Sequence, residues 1–138
     1  VDEYARDPMG GGAGLAAEVK ARLAAGLRDH PTARIFAAYA EGEPAGVAVC
    51  FLGFSTFAAK PLLNIHDLAV REPFRGRGIG AALIERAAEY ARESGCCKLT
   101  LEVHGQNETA MRLYRRSGFQ DIGYGIHPGP VYFLHRPL

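Results

Sequence analysis

A segment rich in glycine and arginine, set between an apolar run and a strong helix former, constrains this chain more than any other feature. Residues 62–70 form an apolar run of strand length, and Pro73 ends it because proline cannot donate to a β-ladder. Residues 75–80 hold three glycines and two arginines directly before the helix-forming residues 81–91. Since free amides at a helix start attract an anion, this order of strand, glycine loop and helix predicts a phosphate site.

Several interpretations of the glycine loop compete. One is a glycine-rich turn with two solvated arginines, because short glycine motifs also occur by chance. A nucleoside-triphosphate loop is excluded, since it requires Gly-Lys-Ser or Gly-Lys-Thr at its end. A dinucleotide fingerprint is formally matched by Gly76, Gly78 and Ala81, but its glycines should follow the strand directly, and residues 71–75 intervene. A further interpretation depends on a second motif later in the chain.

Length and composition predict one globular domain over residues 1–138. The chain is 48% hydrophobic and 22% charged, which is ordinary for a folded domain of this length. Its net charge of +1 gives no reason to expect nucleic acid or a membrane surface as a partner. No run reaches the roughly 20 apolar residues of a membrane span, and no signal peptide is evident, so a cytoplasmic protein is expected. Because Val1 is not an initiator methionine and residues 2–6 resemble a helix end, we expect a missing segment upstream.

The three cysteines give no sign of metal or redox chemistry. Cys50 lies inside an apolar run, whereas Cys96 and Cys97 are adjacent. Neither a Cys-x-x-Cys pair nor a Cys/His metal spacing occurs. All three are therefore predicted to be buried free thiols, and no metal is expected.

Hydrophobic periodicity predicts an alternation of helices and strands. A stripe of Leu15, Val19, Leu23 and Leu27 indicates a helix that His30-Pro31 ends. Further helices are predicted over 79–92, closed by Gly95, and over 108–116, with Asn107 as the N-cap. Strands are predicted over 34–39 and 45–52 around a turn at 41–44, over 62–70 and 97–103, and in a last hairpin of 119–124 and 131–135. Because one helix separates strands 62–70 and 97–103, these two should be parallel.

Two motifs in the expected order resemble those of one family. Arg75-x-x-Gly78-x-Gly80 resembles the coenzyme A pyrophosphate loop of the GNAT superfamily of acyl-CoA-dependent N-acetyltransferases. Asn107-x-x-Ala110-x-x-x-Tyr114-x-x-x-Gly118-Phe119 is similar to the second signature of that family. The resemblance covers roughly residues 34–138, and it implies that the family's first strand, which has no counterpart here, lies upstream of Val1. It implies an α/β fold with a mixed, mostly antiparallel sheet of six to seven strands, flanked by helices, with a parallel pair splayed near residues 68–70.

The resemblance also implies roles for particular residues. The backbone groups of Leu68, Ala69 and Val70 would pair with the pantetheine arm as an added strand does. Asn107 would hold the pantetheine or phosphate region, and Tyr114 would be the general acid beside the thioester sulfur, although its helix position also suits a core aromatic. The pyrophosphate cradle would consist of Arg75, Gly76, Arg77, Gly78, Ile79 and Gly80.

The general base is less well defined by the sequence. His66, with an unperturbed pKa of about 6.5, can take a proton from an amine directly or through water, or can be a core histidine. It stands where the diamine acetyltransferases of the family carry a carboxylate, which puts polyamine specificity in doubt. Glu102 is the second candidate and Asp67 the third. Strand alternation places Asp67 on the opposite face from His66, so that only one of the two should face the acceptor.

The reaction implied is transfer of an acetyl group from acetyl-CoA to a primary amine, by direct attack in a ternary complex. A small-molecule acceptor is favoured, because the sequence shows no long acidic or aromatic groove for a peptide. The aromatic and hydroxyl residues of 54–57 could line its pocket or could be edge-strand residues. The alternative function is a domain that binds acyl-CoA and regulates without turnover. Dimers are common in such families, which makes a homodimer one expectation.

Overall fold

The computed structural model describes residues 1–7 and 12–120. The helices and strands of this part of the chain follow one another in the predicted order. They are α1 (Asp2–Arg6), α2 (Ala17–Asp29), β1 (Ala33–Ala40), β2 (Glu43–Ser55), β3 (Lys60–Val70), a 3-10 turn (Glu72–Phe74), α3 (Ile79–Glu93), β4 (Leu99–Leu101) and α4 (Glu108–Arg116). The predicted last hairpin lies outside the described residues except for Phe119 and Gln120.

The strands form one mixed sheet in the order β1-β2-β3-β4. The first two pairs are antiparallel and the β3–β4 pair is parallel, as predicted. Within residues 1–7 and 12–120 the sheet has four strands, so the prediction of six to seven is wrong for this part of the chain. The larger number included the last hairpin and a strand expected before Val1.

The helix ends and the first turn follow from glycine chemistry. Strands β1 and β2 are joined by Glu41 and Gly42, whose φ angles of 57° and 79° suit a tight two-residue hairpin turn. Helix α3 closes at Gly95, which has a φ of 70°. Helix α4 closes at Gly118 in the same way, and the Phe119 amide donates to the Tyr114 carbonyl at 3.0 Å. Local sequence therefore sets where the two helices of the site end.

The main core lies between the sheet and one face of helix α3. The stripe predicted for this helix is the face that packs, because Leu83, Ile84 and Ala87 are buried against the strands. The sheet contributes residues that alternate along β2 and β3. The buried cluster consists of Ala48, Cys50, Leu63, Ile65, Leu83, Ile84, Ala87 and Ala91.

A β-bulge interrupts the pairing of β2 with β3 and shapes the candidate site. Val49 lies opposite Asp67, but the next residue, Cys50, lies opposite Ile65, so His66 is the extra residue in β3. The parallel pairing of β3 with β4 stops at the same place, because Ile65 is the last residue of β3 that faces β4. Since a bulge bends its strand and disrupts the ladder, it accounts for β4 being shorter than the predicted strand 97–103.

The other face of the sheet lies beneath α1 and α2. Helix α2 follows the predicted stripe but has no fully buried residue, and Val19 of that stripe is exposed. The ring of His30, just after α2, contacts the ring of Phe51 with centroids 5.3 Å apart. Helix α1 buries Ala5. This face is therefore covered more thinly than the α3 face.

The three cysteines differ in burial, which corrects the prediction that all are buried. Cys50 has no exposed surface, Cys96 is half-buried and Cys97 is exposed, and all three are free thiols. Burial raises the pKa of the Cys50 thiol to about 12. Among the described helices, none has the length and apolar character needed to cross a bilayer.

Candidate active site

The glycine loop leads directly into the first turn of α3. Gly76 and Gly78 have φ angles of 73° and 80°, a backbone region that glycine enters without steric cost. Gly78 is the N-cap of α3, and the first amide bonded within the helix is that of Ala82, which donates to the Gly78 carbonyl at 3.0 Å. The amides of the loop and of the first helical turn consequently have no hydrogen-bond acceptor within the helix.

Most of these amides lack a protein acceptor. The Arg75 amide donates to the Glu72 carbonyl at 3.2 Å, so this predicted donor is already used. The amides of residues 76–80 donate to no acceptor within residues 1–7 and 12–120. A row of free amides at a helix start is a suitable cradle for a diphosphate, so the loop retains the capacity that the sequence predicted.

Both loop arginines are paired with carboxylates. The Nη2 atom of Arg75 lies 3.0 Å from Oδ2 of Asp7, at the end of α1, while Nε of Arg75 donates to the Val70 carbonyl at 3.0 Å. The Nη2 atom of Arg77 lies 2.7 Å from Oε1 of Glu41. Such exposed pairs contribute only about 0–1 kcal/mol. A bound diphosphate would therefore compete with Asp7 and Glu41 for the arginines at little cost.

The third glycine of the loop has a packing role. Gly80 is buried, and a Cβ placed there would lie 3.0 Å from Cδ2 of Leu113 in α4. The absence of a side chain thus lets α4 approach the start of α3 closely. This approach fixes α4, the helix that carries Tyr114, beside the first turn of α3.

Within the described residues, one edge of the C-terminal part of β3 has no partner strand. Leu68, Ala69 and Val70 pair with β2 residues 46–48, but no residue of β4 lies opposite them. An edge of this kind can accept an added extended chain through backbone hydrogen bonds. The Val70 carbonyl already accepts the bond from Arg75, so the other backbone groups of this edge are the more accessible ones.

Tyr114 lies half-buried against the core. Its ring contacts that of Phe119 edge to face, with centroids 5.8 Å apart. Burial, and to a lesser extent the neighbouring phenol of Tyr4, raises the pKa of Tyr114 above its ordinary value. Its phenol is therefore protonated at neutral pH and can act as a proton donor. No described residue accepts a hydrogen bond from it, so the proton is available to a ligand.

Asn107 caps helix α4, as the sequence predicted. Its Oδ1 accepts the Ala110 amide at 3.1 Å, which satisfies one free amide of the first turn. Its Nδ2 donates to no other residue of the described chain. The side chain could thus hold the helix start and still offer a donor to a ligand.

The bulge corrects the predicted placement of His66 and Asp67. The His66 ring contacts the ring of Phe51 at 5.5 Å, and Asp67 lies opposite Val49. Val49 and Phe51 are two residues apart in β2, so they share the face that points away from α3. His66 and Asp67 therefore lie on the same face. The aromatic neighbour of His66 is Phe51 and not Phe54, which is 63% exposed further along the hairpin.

Glu102 stands apart from these residues. It follows the last residue of β4 and is exposed. Within the described chain it makes no ion pair or hydrogen bond. The structure does not bring it into contact with His66 or Tyr114, so its predicted role has no structural support in the described chain.

The structure adds Tyr4, which the sequence gave no reason to select. Tyr4 lines a cleft of about 810 Å³ together with Val47, Ala69 and Arg75. Burial raises its pKa, and the nearby carboxylates of Asp67 and Asp7 raise it further. Because Tyr4 lies in α1, far along the chain from both motifs, the sequence carried no signal of a role for it in the site. Within the described residues no group of three or more His, Cys, Asp or Glu side chains could hold a metal ion.

The fold and the loop together define a class of protein. A parallel strand pair that splays next to a helix start with free amides is an arrangement for binding a long phosphorylated ligand. The family model for the acetyltransferase (GNAT) family matches residues 4–119. The chain belongs to the GNAT superfamily of N-acetyltransferases, as the two motifs predicted.

Known relatives support the same assignment. A thialysine N-epsilon-acetyltransferase of Bos taurus is 36% identical over 88 residues, which cover 60% of this chain and 51% of the relative. An N-alpha-acetyltransferase of Arabidopsis thaliana is 41% identical over 86 residues, covering 61% of this chain and 43% of the relative. The chain thus spans about half the length of these relatives. An integron cassette protein of V. cholerae shares the fold, with a TM-score of 0.79 and 22% identity, over 99% of this chain and 82% of that one.

Proposed function

We propose that this chain transfers an acetyl group from acetyl-CoA to the primary amine of a small molecule, by direct attack in a ternary complex. The observation that carries the proposal is the arrangement of three features. Free amides of residues 76–80 stand at one end of a free strand edge, residues 68–70, and the phenol of Tyr114 lies on the helix packed against that loop. Coenzyme A has a part that suits each feature: a diphosphate for the amides, a pantetheine arm for the strand edge and a thioester for the phenol.

The cofactor-binding residues would act mainly through their backbones. Gly76, Gly78 and the first turn of α3 would hold the diphosphate by amide hydrogen bonds and by the helix dipole. Arg75 and Arg77 would exchange their carboxylate partners for phosphate oxygens. Leu68 and Ala69 would pair with the amide groups of the pantetheine arm, and Nδ2 of Asn107 would donate to the same ligand.

The reaction requires three groups from the protein: a base, a hydrogen-bond donor and an acid. The amine must lose a proton before it attacks, and His66 is the preferred base; Glu102 and Asp67 rank behind it on the sequence alone. The thioester oxygen becomes negatively charged during attack and needs a backbone amide, which the free edge of β3 can supply. The departing thiolate needs a proton, which Tyr114 can donate because its raised pKa keeps the phenol protonated.

The identity of the acceptor is not carried over from the relatives. One relative is named for thialysine and another for an N-alpha acceptor. Because the chain is similar to both, the comparisons are compatible with more than one type of amine acceptor. A small acceptor is supported by the size of the cleft that Tyr4 and Ala69 line, about 810 Å³, which is typical of small-molecule sites. A homodimer and a cytoplasmic location stay predictions.

Thiol release from acetyl-CoA with a panel of primary amines tests the proposal. We expect turnover, with initial-rate lines that intersect, as a ternary complex requires. Tyr114→Phe should lower kcat by about 10²- to 10⁴-fold while acetyl-CoA binding persists, since general acid catalysis contributes in that range. Tyr39→Phe, on an exposed tyrosine of β1, is the matched control and should behave as the unaltered protein does.

Other outcomes would favour the remaining interpretations. If acetyl-CoA binds but no amine releases thiol, the chain is an acyl-CoA-binding regulatory domain. If NAD raises the thermal unfolding temperature and acetyl-CoA at equal concentration does not, the glycine loop binds a dinucleotide instead. If Tyr114→Phe retains full activity, the assignment of the general acid is wrong.

A further inference from the structure

We propose that Tyr4 of α1 and Asp67 of β3 together form the site that recognises the ammonium group of the acceptor. The proposal rests on the acetyl-transfer function and adds to it a specificity site for cationic amines. The sequence did not indicate this pair, because Tyr4 lies outside both motifs and Asp67 was expected to face away from His66. The structure places both residues on the same side of the sheet.

Among the described residues, no cation neutralises the carboxylate of Asp67. It is half-buried, and the bulge turns it to the face of the sheet that carries Val49. The arginines that follow in the chain are engaged elsewhere, Arg71 with Glu3 and Glu43, and Arg75 with Asp7. No cation of the described chain pairs with Asp67. A half-buried carboxylate without a protein partner gains from binding a cationic ligand.

Tyr4 lies over the same face of the sheet. It lines the 810 Å³ cleft with Val47 and Ala69, which lie opposite each other in β2 and β3. Ala69 is two residues beyond Asp67 in the same strand, so the two side chains share a face. The nearby Asp67 contributes to the raised pKa of the Tyr4 phenol. Tyr4 therefore stays uncharged, and its oxygen can accept a hydrogen bond from an ammonium group.

The chemistry of an ammonium group matches this pair. It carries three N–H donors and a positive charge, and it is best bound by a carboxylate together with neutral oxygens. Asp67 supplies the charge and Tyr4 a neutral oxygen. A neutral group of the same size would leave the carboxylate without a partner, so the pair discriminates against uncharged acceptors.

The pair also lies next to the reacting groups. The phenol of Tyr4 is close enough to Tyr114 to contribute to the raised pKa of that residue, and His66 directly precedes Asp67. The bound ammonium gives one proton to the base and becomes a nucleophile. Its nitrogen then forms the C–N bond while the C–S bond breaks. Of the two protons lost by nitrogen in total, one balances the proton that Tyr114 gives to sulfur, and the other is released to solvent.

Binding of amines to the protein in the presence of CoA tests this inference without requiring turnover. The probes are 1,3-diaminopropane, lysine amide and phenethylamine, measured by calorimetry. For every probe that binds, Asp67→Asn should weaken binding by about tenfold or more, and Tyr4→Phe should weaken it less, because a bond to a charged group contributes more than a neutral one. In turnover, KM for the amine should rise more than kcat falls.

Matched controls separate this effect from damage to the fold. Asp29→Asn and Tyr39→Phe make the same chemical changes at exposed positions on α2 and β1, and should leave amine binding unchanged. Acetyl-CoA affinity, measured on every variant, reports that the cofactor end remains folded. Equal amine binding by Asp67→Asn and the unaltered protein, or no binding of any probe to the unaltered protein with CoA, overturns the inference. Failure of acetyl-CoA itself to bind overturns the proposed function instead.

Discussion

The Nη2 atom of Arg77 lies 2.7 Å from Oε1 of Glu41, so the turn between β1 and β2 places a carboxylate beside the glycine loop. Glu41 adopts a φ of 57°, which is uncommon for a residue with a side chain. The guanidinium of Arg77 also lies over the ring of Phe74, 5.5 Å from its centroid. The arginine is thus held in place by two neighbours, and only one of them competes with a phosphate.

Glu41→Gln should strengthen acetyl-CoA binding. The substitution removes the negative charge that pairs with Arg77 and leaves the contact with Phe74, so the arginine becomes available to the diphosphate. Because the pair is exposed, we expect a gain of about two- to fivefold in affinity, shrinking as salt is added. Calorimetry at low and at moderate salt measures it. Glu18→Gln, on the surface of α2, serves as the control, and a weaker affinity for Glu41→Gln would contradict this assignment.

Gly78→Ala should damage the loop through its backbone. Gly78 has a φ of 80°, and a left-handed conformation costs a residue with a side chain about 1–2 kcal/mol. A Cβ at this position meets nothing within 4 Å, so the cost does not come from crowding. We expect a lower urea midpoint and weaker acetyl-CoA binding.

The control for Gly78→Ala is Gly105→Ala. Gly105 also has open space around its Cβ position and does not have a positive φ. This variant should change stability and acetyl-CoA affinity little. Equal losses for both variants would show that the left-handed backbone is not the cause.

The three thiols should differ sharply in reactivity. The pKa of Cys50, raised to about 12 by burial, leaves almost no thiolate at pH 8, and its side chain has no exposed surface. Cys97 is exposed. Labelling with iodoacetamide at pH 8, followed by peptide mass spectrometry, should modify Cys97 in the folded protein and Cys50 only after unfolding in urea. Rapid modification of Cys50 in the folded state would show that the core opens readily.

Leu63→Ala should lower the free energy of unfolding by about 2–5 kcal/mol, because it leaves a cavity between β3 and α3. Leu63 is fully buried in the main core cluster. Leu23→Ala, on the half-buried stripe of α2, makes the same change where the surroundings are more open and should cost clearly less. Urea denaturation of both variants provides the comparison. Similar losses would mean that α2 is packed more tightly than its exposure suggests.

Local signals in the sequence predicted the helices of the site well. Helix α4 has the predicted bounds of 108–116, and α3 begins at the predicted Ile79 and ends one residue beyond the prediction. Each of these helices has an amphipathic stripe and a closing glycine. Both signals depend only on residues that are close together in the chain. The two helices that flank the candidate cofactor site could therefore be located from the sequence alone.

Features that depend on pairing between distant segments were not predictable. The bulge at His66 arises from the register between β2 and β3, and simple alternation gave the wrong face for Asp67. Tyr4 reaches the site only because α1 packs against the end of β3, and no periodicity encodes that contact. The exposure of Cys97 likewise depends on where β4 begins, which is at Leu99, opposite Leu63 of β3.

Because of the extra residue at the bulge, a single strand carries core residues on one face and candidate acceptor-site residues on the other. Ile65 and Leu68 both pack towards α3, and the two residues between them, His66 and Asp67, point away from it. A change of residue type at 66 or 67 therefore leaves the hydrophobic interior intact. Acceptor preference could drift during evolution, or be redesigned in the laboratory, at these two positions while the coenzyme end of the protein stays as it is.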